Sequence, residues 1–298
     1  MSARTRGFES HPPRTNPIIN FKGELGKMVA KSTTSFYSTE QEFKKYLGHT
    51  SYYTELQKNL LALLSPKAKI VIDLGCGIGS TAIQIAKKCN QGIVHATDIR
   101  QEILELGKKI AKREHISNIE FDKADMNNLG NYLADNNLRP DIITALYAFH
   151  HIADPLENKQ RVVNEIYENM KKGGWIIIGD VYLELDCSNA GYASRVKKQY
   201  DMRCEEAYNS VFWAVVRERS NAGKDVKKVI DYAHEVAEYS RASELNAMKG
   251  VLNRSKAVVP EYLITMPQLR QIFEKAGFRI IVFQPINSIG DAIMIGKK

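Results

Sequence analysis

The chain has 298 residues, 44% apolar and 26% charged, and its 42 Lys and Arg against 34 Asp and Glu give a net charge of +8. That is an ordinary globular composition, sized for one large α/β domain with an insertion or two smaller domains, and it excludes collagen-like, low-complexity and strongly disordered chains. No apolar run approaches the ~18 residues of a membrane span. The basic residues 1–6 lead into Pro12, Pro13 and Pro17 instead of an apolar stretch, so no secretory signal is read and a cytoplasmic location is expected. Cys76, Cys89, Cys187 and Cys204 form no C-x-x-C pair and the seven histidines lack zinc-finger spacing, so neither a disulfide frame nor a metal is expected. The basic residues are scattered through every segment, which suits solubility; nucleic-acid binding normally needs a clustered patch.

Residues 1–31, rich in Pro, Arg, Ser and Asn, read as a flexible arm. Thr39-Glu40-Gln41-Glu42 is a capping box that opens a short helix with Phe43, Tyr46 and Leu47. A second helix follows Gly48, carries Leu56, Leu60, Leu63 and Leu64, and stops before Pro66. From Lys69 onward strands and helices alternate, the pattern of a parallel sheet covered on both faces. Strand one is 69–74; its helix carries Ile83, Ile85 and Ala86. Strand two, 92–97, ends in Asp98, and the next helix carries Ile103, Leu106 and Ile110. Strand three, 119–121, leads to Ala124-Asp125-Met126. Strand four is 141–146, followed by a helix through Val162, Val163, Ile166 and Met170. Strand five, 175–179, is apolar on both faces and ends in Asp180. From Val181 to Leu263 the rhythm gives way to helical stretches dense in charge and tyrosine, read as a cap. It resumes with a second capping box, Thr265-Met266-Pro267-Gln268, a helix ended by Gly277, and a final antiparallel pair at 278–283 and 292–295.

Chemistry concentrates after strand one. In Asp73-Leu74-Gly75-Cys76-Gly77-Ile78-Gly79 an acid and three alternating glycines join a strand to a helix, where free N–H groups face whatever sits in the gap. Gly79 comes one residue too early for the dinucleotide fingerprint G-x-G-x-x-G. The pattern D-L-G-C-G-x-G resembles the cofactor loop of class I S-adenosylmethionine (SAM) methyltransferases. Asp98 lies 23 residues beyond Gly75, near the ~20 expected of a carboxylate that accepts ribose hydroxyls. The segment Leu146-Tyr147-Ala148-Phe149-His150-His151-Ile152-Ala153-Asp154-Pro155 resembles the L-H-H segment of the small-molecule branch, the quinone and natural-product type. It carries neither the N/D-P-P-Y/F motif of adenine, cytosine or glutamine N-methylating relatives nor the Pro-Cys pair of cytosine C5 enzymes.

The resemblance covers roughly 69–180 and 264–298. It implies a Rossmann-like, doubly wound α/β fold: a seven-stranded sheet with an antiparallel last strand, N-terminal lid helices, and a helical cap inserted after strand five. The expected division is a 1–31 arm, 32–66 lid helices, a 67–180 SAM-binding core, a 181–263 cap, and 264–298 completing the sheet. The implied cofactor is SAM, held by Asp73, Gly75, Gly77, Gly79, Asp98, Ile99, Asp125, Met126 and Leu146. Tyr52 and Tyr53 either lie over the cofactor or pack the lid onto the sheet. His150, His151 and Tyr200 are the catalytic candidates, the alternative being that one histidine packs under the next helix and the other hydrogen-bonds backbone; Asp180, Arg203, Glu205, Tyr208 and Trp213 are further lining groups. The expected reaction is methyl transfer to O, N or C of a small metabolite, of natural-product or isoprenoid type, by in-line displacement with a general base. An RNA methyltransferase and a SAM-binding protein that methylates nothing are the alternatives. Some relatives of this kind exchange N-terminal helices between subunits, so a homo-oligomer is an open expectation.

Overall fold

Strand β1 (Ile70–Leu74) lies in the interior of a seven-stranded sheet, third from one edge, and carries apolar residues on both sides of the pleat. Val71 faces one core, while Ile72 and Leu74 face the other, as a period of two requires. The computed structural model describes residues 50–153, 156–220, 225–253 and 261–298, which fall in one compact unit. The helix expected at 39–47, the arm and most of the expected lid lie outside them.

The described chain begins with α1 (Ser51–Leu63). After β1 come α2 (Ser80–Lys88), β2 (Ile93–Asp98), α3 (Gln101–Arg113) and β3 (Ile119–Lys123). A 3₁₀ turn (Met126–Asn128), α4 (Leu129–Asp135), β4 (Ile142–Leu146), a second 3₁₀ turn (Phe149–His151), α5 (Leu156–Asn169) and β5 (Trp175–Val181) follow. Two long helices, α6 (Tyr192–Ser220) and α7 (Val226–Leu252), precede α8 (Met266–Ala276), β6 (Arg279–Pro285) and β7 (Asp291–Lys297). The strand order is β3-β2-β1-β4-β5-β7-β6. The first five strands are parallel, and β7 inserts antiparallel between β5 and β6. This is the class I methyltransferase fold.

Helices α1, α2 and α3 cover one face with Leu56, Leu60, Ile83, Ile103 and Leu104; α4, α5 and α8 cover the other with Leu129, Leu133, Val162, Ile166 and Phe273. Ile177 of β5 serves the first core and Ile176 and Ile178 the second. The capping box at Thr265 and Gln268 forms, with Pro267 in the first turn and Gly277 as a left-handed C-cap. Two details differ from the sequence reading. Leu63 points outward, 47% exposed, because α1 turns its stripe at Tyr52, Tyr53, Leu56 and Leu60 onto the sheet. Helix α4 was not expected: it has seven residues and only Leu129 and Leu133 buried, too short a run for helical periodicity to show.

The expected cap is a hairpin of α6 and α7, about 43 and 40 Å long at 1.5 Å per residue. Its near half packs Val196, Tyr200 and Val251 on Val181, Leu183 and Leu263; its far half holds a separate core of Val211, Val215, Ala233, Val236 and Ala237. Among the described residues no helix is long and apolar enough to cross a membrane.

Candidate active site at the C-terminal edge of the sheet

Strand order reverses between β1 and β4, and in such sheets ligands bind beyond the strand ends at that point. The loop from Gly75 to Gly79 lies there. All three of its glycines have positive φ (63°, 55° and 78°), a conformation that burdens residues with a Cβ. At Gly75 a Cβ would also stand 2.5 Å from that of Ala148, and at Gly79 one would meet the Phe121 ring at 2.6 Å. The turn is pinned by Cys76 N–H to Thr97 O (2.8 Å) and Gly79 N–H to Cys76 O (2.9 Å), which leaves the start of α2 open toward the gap.

The acids at the strand ends are set differently. Asp73 is buried and accepts a hydrogen bond from Thr144 (2.7 Å), its neighbour across the β1–β4 register. Burial raises its pKa to about 7, against the Thr144 bond and helped by the nearby Asp98 charge. Asp98 accepts from the backbone N–H of Gly77 and of Arg100, both at 3.0 Å. Each of its oxygens keeps a lone pair for a further donor, and Ile99 beside it is 56% exposed. Asp125 Oδ1 accepts from Asn127 N–H and Nδ2 (2.8 and 2.9 Å), while Met126 reaches within 3.6 Å of the position a Gly75 Cβ would take. Leu146 is buried against Gly179. Half-open carboxylates, an exposed apolar side chain and a glycine turn at a helix start suit a nucleoside that carries hydroxyls and a flat base.

On the other side of the gap, Asp180 at the end of β5 grips the Phe149–His151 turn twice. It accepts from His150 N–H (3.0 Å) and pairs with His150 Nδ1 (2.6 Å). Burial works against charge on His150, but the Asp180 carboxylate and its hydrogen bond outweigh this, with Glu261 adding to them, and hold the pKa above the ordinary value. The His151 ring lies 4.0 Å away, centroid to centroid. Part of it meets solvent, yet desolvation by the surrounding protein, then the charges of His150, Lys159 and Arg100, hold its pKa well below the usual. Tyr200, fully buried, donates to Glu261 Oε2 (3.2 Å). Its hydroxyl pKa is pushed up by burial and then by the Glu261 charge, which disfavours its ionised form. Burial also raises Glu261.

Between α1 and the cap lies a buried polar group. Arg203 pairs with Glu244 (2.8 Å) and Asp291 (2.7 Å) and stacks over the Tyr52 ring at 4.7 Å, while Tyr52 donates to Glu244 (2.5 Å). The Tyr53 hydroxyl is 3.0 Å from that of Thr81 in the first turn of α2, and its ring stacks on Tyr147.

The matching family model, described as a methyltransferase domain, aligns with residues 65–244, more than half of the chain. The chain belongs to this methyltransferase-domain family. A release factor glutamine methyltransferase of Aliivibrio fischeri is 40% identical over 58 residues, a fifth of each chain. Among solved structures, an O-methyltransferase family protein from Burkholderia thailandensis superposes with a TM-score of 0.52 at 12% identity, over 93% of this chain and 69% of the other. The mitomycin 7-O-methyltransferase MmcR gives 0.52 at 13% identity, over 93% and 63%. PigF, solved with SAH, gives 0.50 at 14%, over 94% and 61%. At these identities the likeness is one of fold, and this chain spans between 61% and 69% of the length of these three proteins.

In this methyltransferase-domain chain the loop, strand-end and His-His candidates all come to one edge of the sheet. The far cap candidates do not. Glu205 is exposed and Trp213 is 58% exposed, and Tyr208 pairs with His234 in the outer half of the hairpin, because a hairpin about 40 Å long reaches well past the site. Three residues near the site escaped the sequence reading. Glu261 precedes a capping box and looks like a solvated acid. Asn127 ties the Asp125 turn to the histidine turn by accepting from Ala153 N–H (3.2 Å) and Asn158 (2.9 Å). Lys159 sits on the buried face of α5, where a lone lysine in an otherwise amphipathic helix gives no signal.

Proposed function

We propose that this protein is a SAM-dependent methyltransferase that methylates a hydroxyl of a small, largely apolar acceptor, with His150 as the general base. The observation that carries this reading is the His150–Asp180 pair, buried beside the glycine loop. A sulfonium methyl group, when SAM is bound, is already electrophilic. What the chain supplies is alignment, exclusion of water and removal of one proton. Asp73, Gly75, Gly77, Gly79, Asp98, Ile99, Asp125, Met126 and Leu146 are assigned to the cofactor, with Asp98 taking the ribose hydroxyls and Ile99 and Met126 flanking the base.

Asp180 accepts from the Nδ1–H of neutral His150, fixing the tautomer that leaves Nε2 to accept the acceptor's proton, and it stabilises the imidazolium that results. A hydroxyl nucleophile needs such a base, which favours oxygen over an amine that is nucleophilic unaided. Glu261, polarised by Tyr200, lies close enough to His150 to stabilise the same positive charge. His151 stays neutral beside it. The apolar residues where cap meets sheet, with the Tyr192 hydroxyl buried there and lacking a partner among the described residues, favour an apolar acceptor bearing few polar groups.

The test is transfer of labelled methyl from SAM to a metabolite extract and a panel of phenols, enols and aliphatic alcohols. Transfer that depends on His150 supports the reading; transfer only to RNA, or undiminished transfer by His150→Ala, contradicts it.

A further inference from the structure

Lys159 is wholly buried, at 0% exposure, on the face of α5 that packs on the sheet. Its ammonium donates to the carbonyls of Phe149 (3.2 Å) and Ile152 (2.5 Å), the first residue of the histidine turn and the one just beyond its end, and lies 5.3 Å from the Phe149 ring centroid. Among the described residues no carboxylate lies within ion-pair distance of it. A buried cation without a contact anion costs several kcal/mol, whereas a leucine would pack the same space without that cost. The turn is thus held from two sides: Asp180 of β5 takes the N–H and Nδ1 of His150, and Lys159 of α5 takes the carbonyls.

We propose that Lys159 is a positioning residue for His150, fixing the turn that carries it and opposing with its own charge the attraction that Asp180 exerts on a proton there. The inference rests on the reading of His150 as the base, yet it is measurable without catalysis. The charged groups facing the imidazole are Asp180 from β5, Glu261 ahead of α8, His151 on the same turn and Lys159 from α5; Arg100 faces His151. Asp180 and Glu261 favour the protonated ring and Lys159 disfavours it. Burial brings Lys159 itself down to about 7, against the pull of Asp180, and the charge of each group opposes protonation of the other, which links their titrations.

The experiment follows the His150 ring by NMR in ¹³C-histidine-labelled protein, for wild type, Lys159→Met and Lys159→Arg, with circular dichroism and SAH binding as controls of fold. Lys159→Met should titrate at higher pH than wild type, and Lys159→Arg should return toward the wild-type position. The acid limb of kcat/KM should move with it: Lys159→Met loses roughly tenfold at pH 6 for each unit the limb moves and recovers at pH 9, with KM for SAM unchanged. A His150 titration identical in folded Lys159→Met and wild type overturns the proposal, as does an equal rate loss at every pH. Should Lys159→Met not fold, Lys159→Gln takes its place, and a His150 titration identical to wild type in that folded variant overturns the proposal. Should wild type transfer no methyl group, the functional reading fails while the titration still decides the role of Lys159.

Discussion

In the reaction proposed above, His150 and Asp180 form the pair on which the chemistry would turn, and their electrostatics would set its pH dependence. The base works only when neutral, and Asp180 raises the pH at which it becomes so. Activity should therefore fall as pH drops through that raised value, and Asp180→Asn should move the acid limb of kcat/KM to lower pH while reducing its plateau. His150→Ala should lower kcat by about 10²–10⁴ with SAH affinity kept, as calorimetry on the same preparation would check. The histidines were readable because two adjacent imidazoles after strand four stand out in sequence. Glu261 was not, since an isolated glutamate before a capping box carries no local mark, and its proximity to His150 arises only when Tyr262 N–H bonds the His150 carbonyl (3.0 Å).

At the scale of elements, α1 and the cap are joined through Arg203, Glu244, Asp291 and Tyr52, which no periodicity announces because the four residues lie in four separate segments. Glu244→Ala leaves the Tyr52 hydroxyl buried without its acceptor and the Arg203 guanidinium with Asp291 as its one remaining carboxylate in this network. It should cost about 3–5 kcal/mol in urea melts, whereas Tyr52→Phe, which removes one hydrogen bond to a charged group, should cost about 1.5–3 kcal/mol. Equal small losses for both would mean that the network contributes little. Sheet elements were legible for a physical reason: strands buried on both faces, such as 175–179, must be apolar throughout, and strand-to-helix turns must carry glycine where φ is positive. Helix α4 and the extent of the α6–α7 hairpin were not, since one is too short to show a period and the other buries its far half only on itself.

Across the whole molecule, two buried groups shape stability against pH in opposite windows. Asp73, raised from 3.8 to about 7, binds more protons folded than unfolded. Its contribution, on the order of 4 kcal/mol, is fully present below about pH 4 and lost as pH rises to about 7. Lys159, lowered from 10.5 to about 7, binds fewer protons folded than unfolded. Its contribution is present above about pH 10.5 and lost as pH falls to about 7. Urea melts of ligand-free protein should therefore show Asp73→Asn flattening the profile between pH 4 and 7, and Lys159→Met flattening it between pH 7 and 10.5. Both groups border the proposed site. The account depends above all on the glycine loop and Asp98 forming a SAM site, and calorimetric titration with S-adenosylhomocysteine tests that directly. The prediction is saturable one-to-one binding by wild type, weakened at least tenfold, about 1.4 kcal/mol, in Asp98→Ala; no binding by wild type, or equal binding by both, would contradict it.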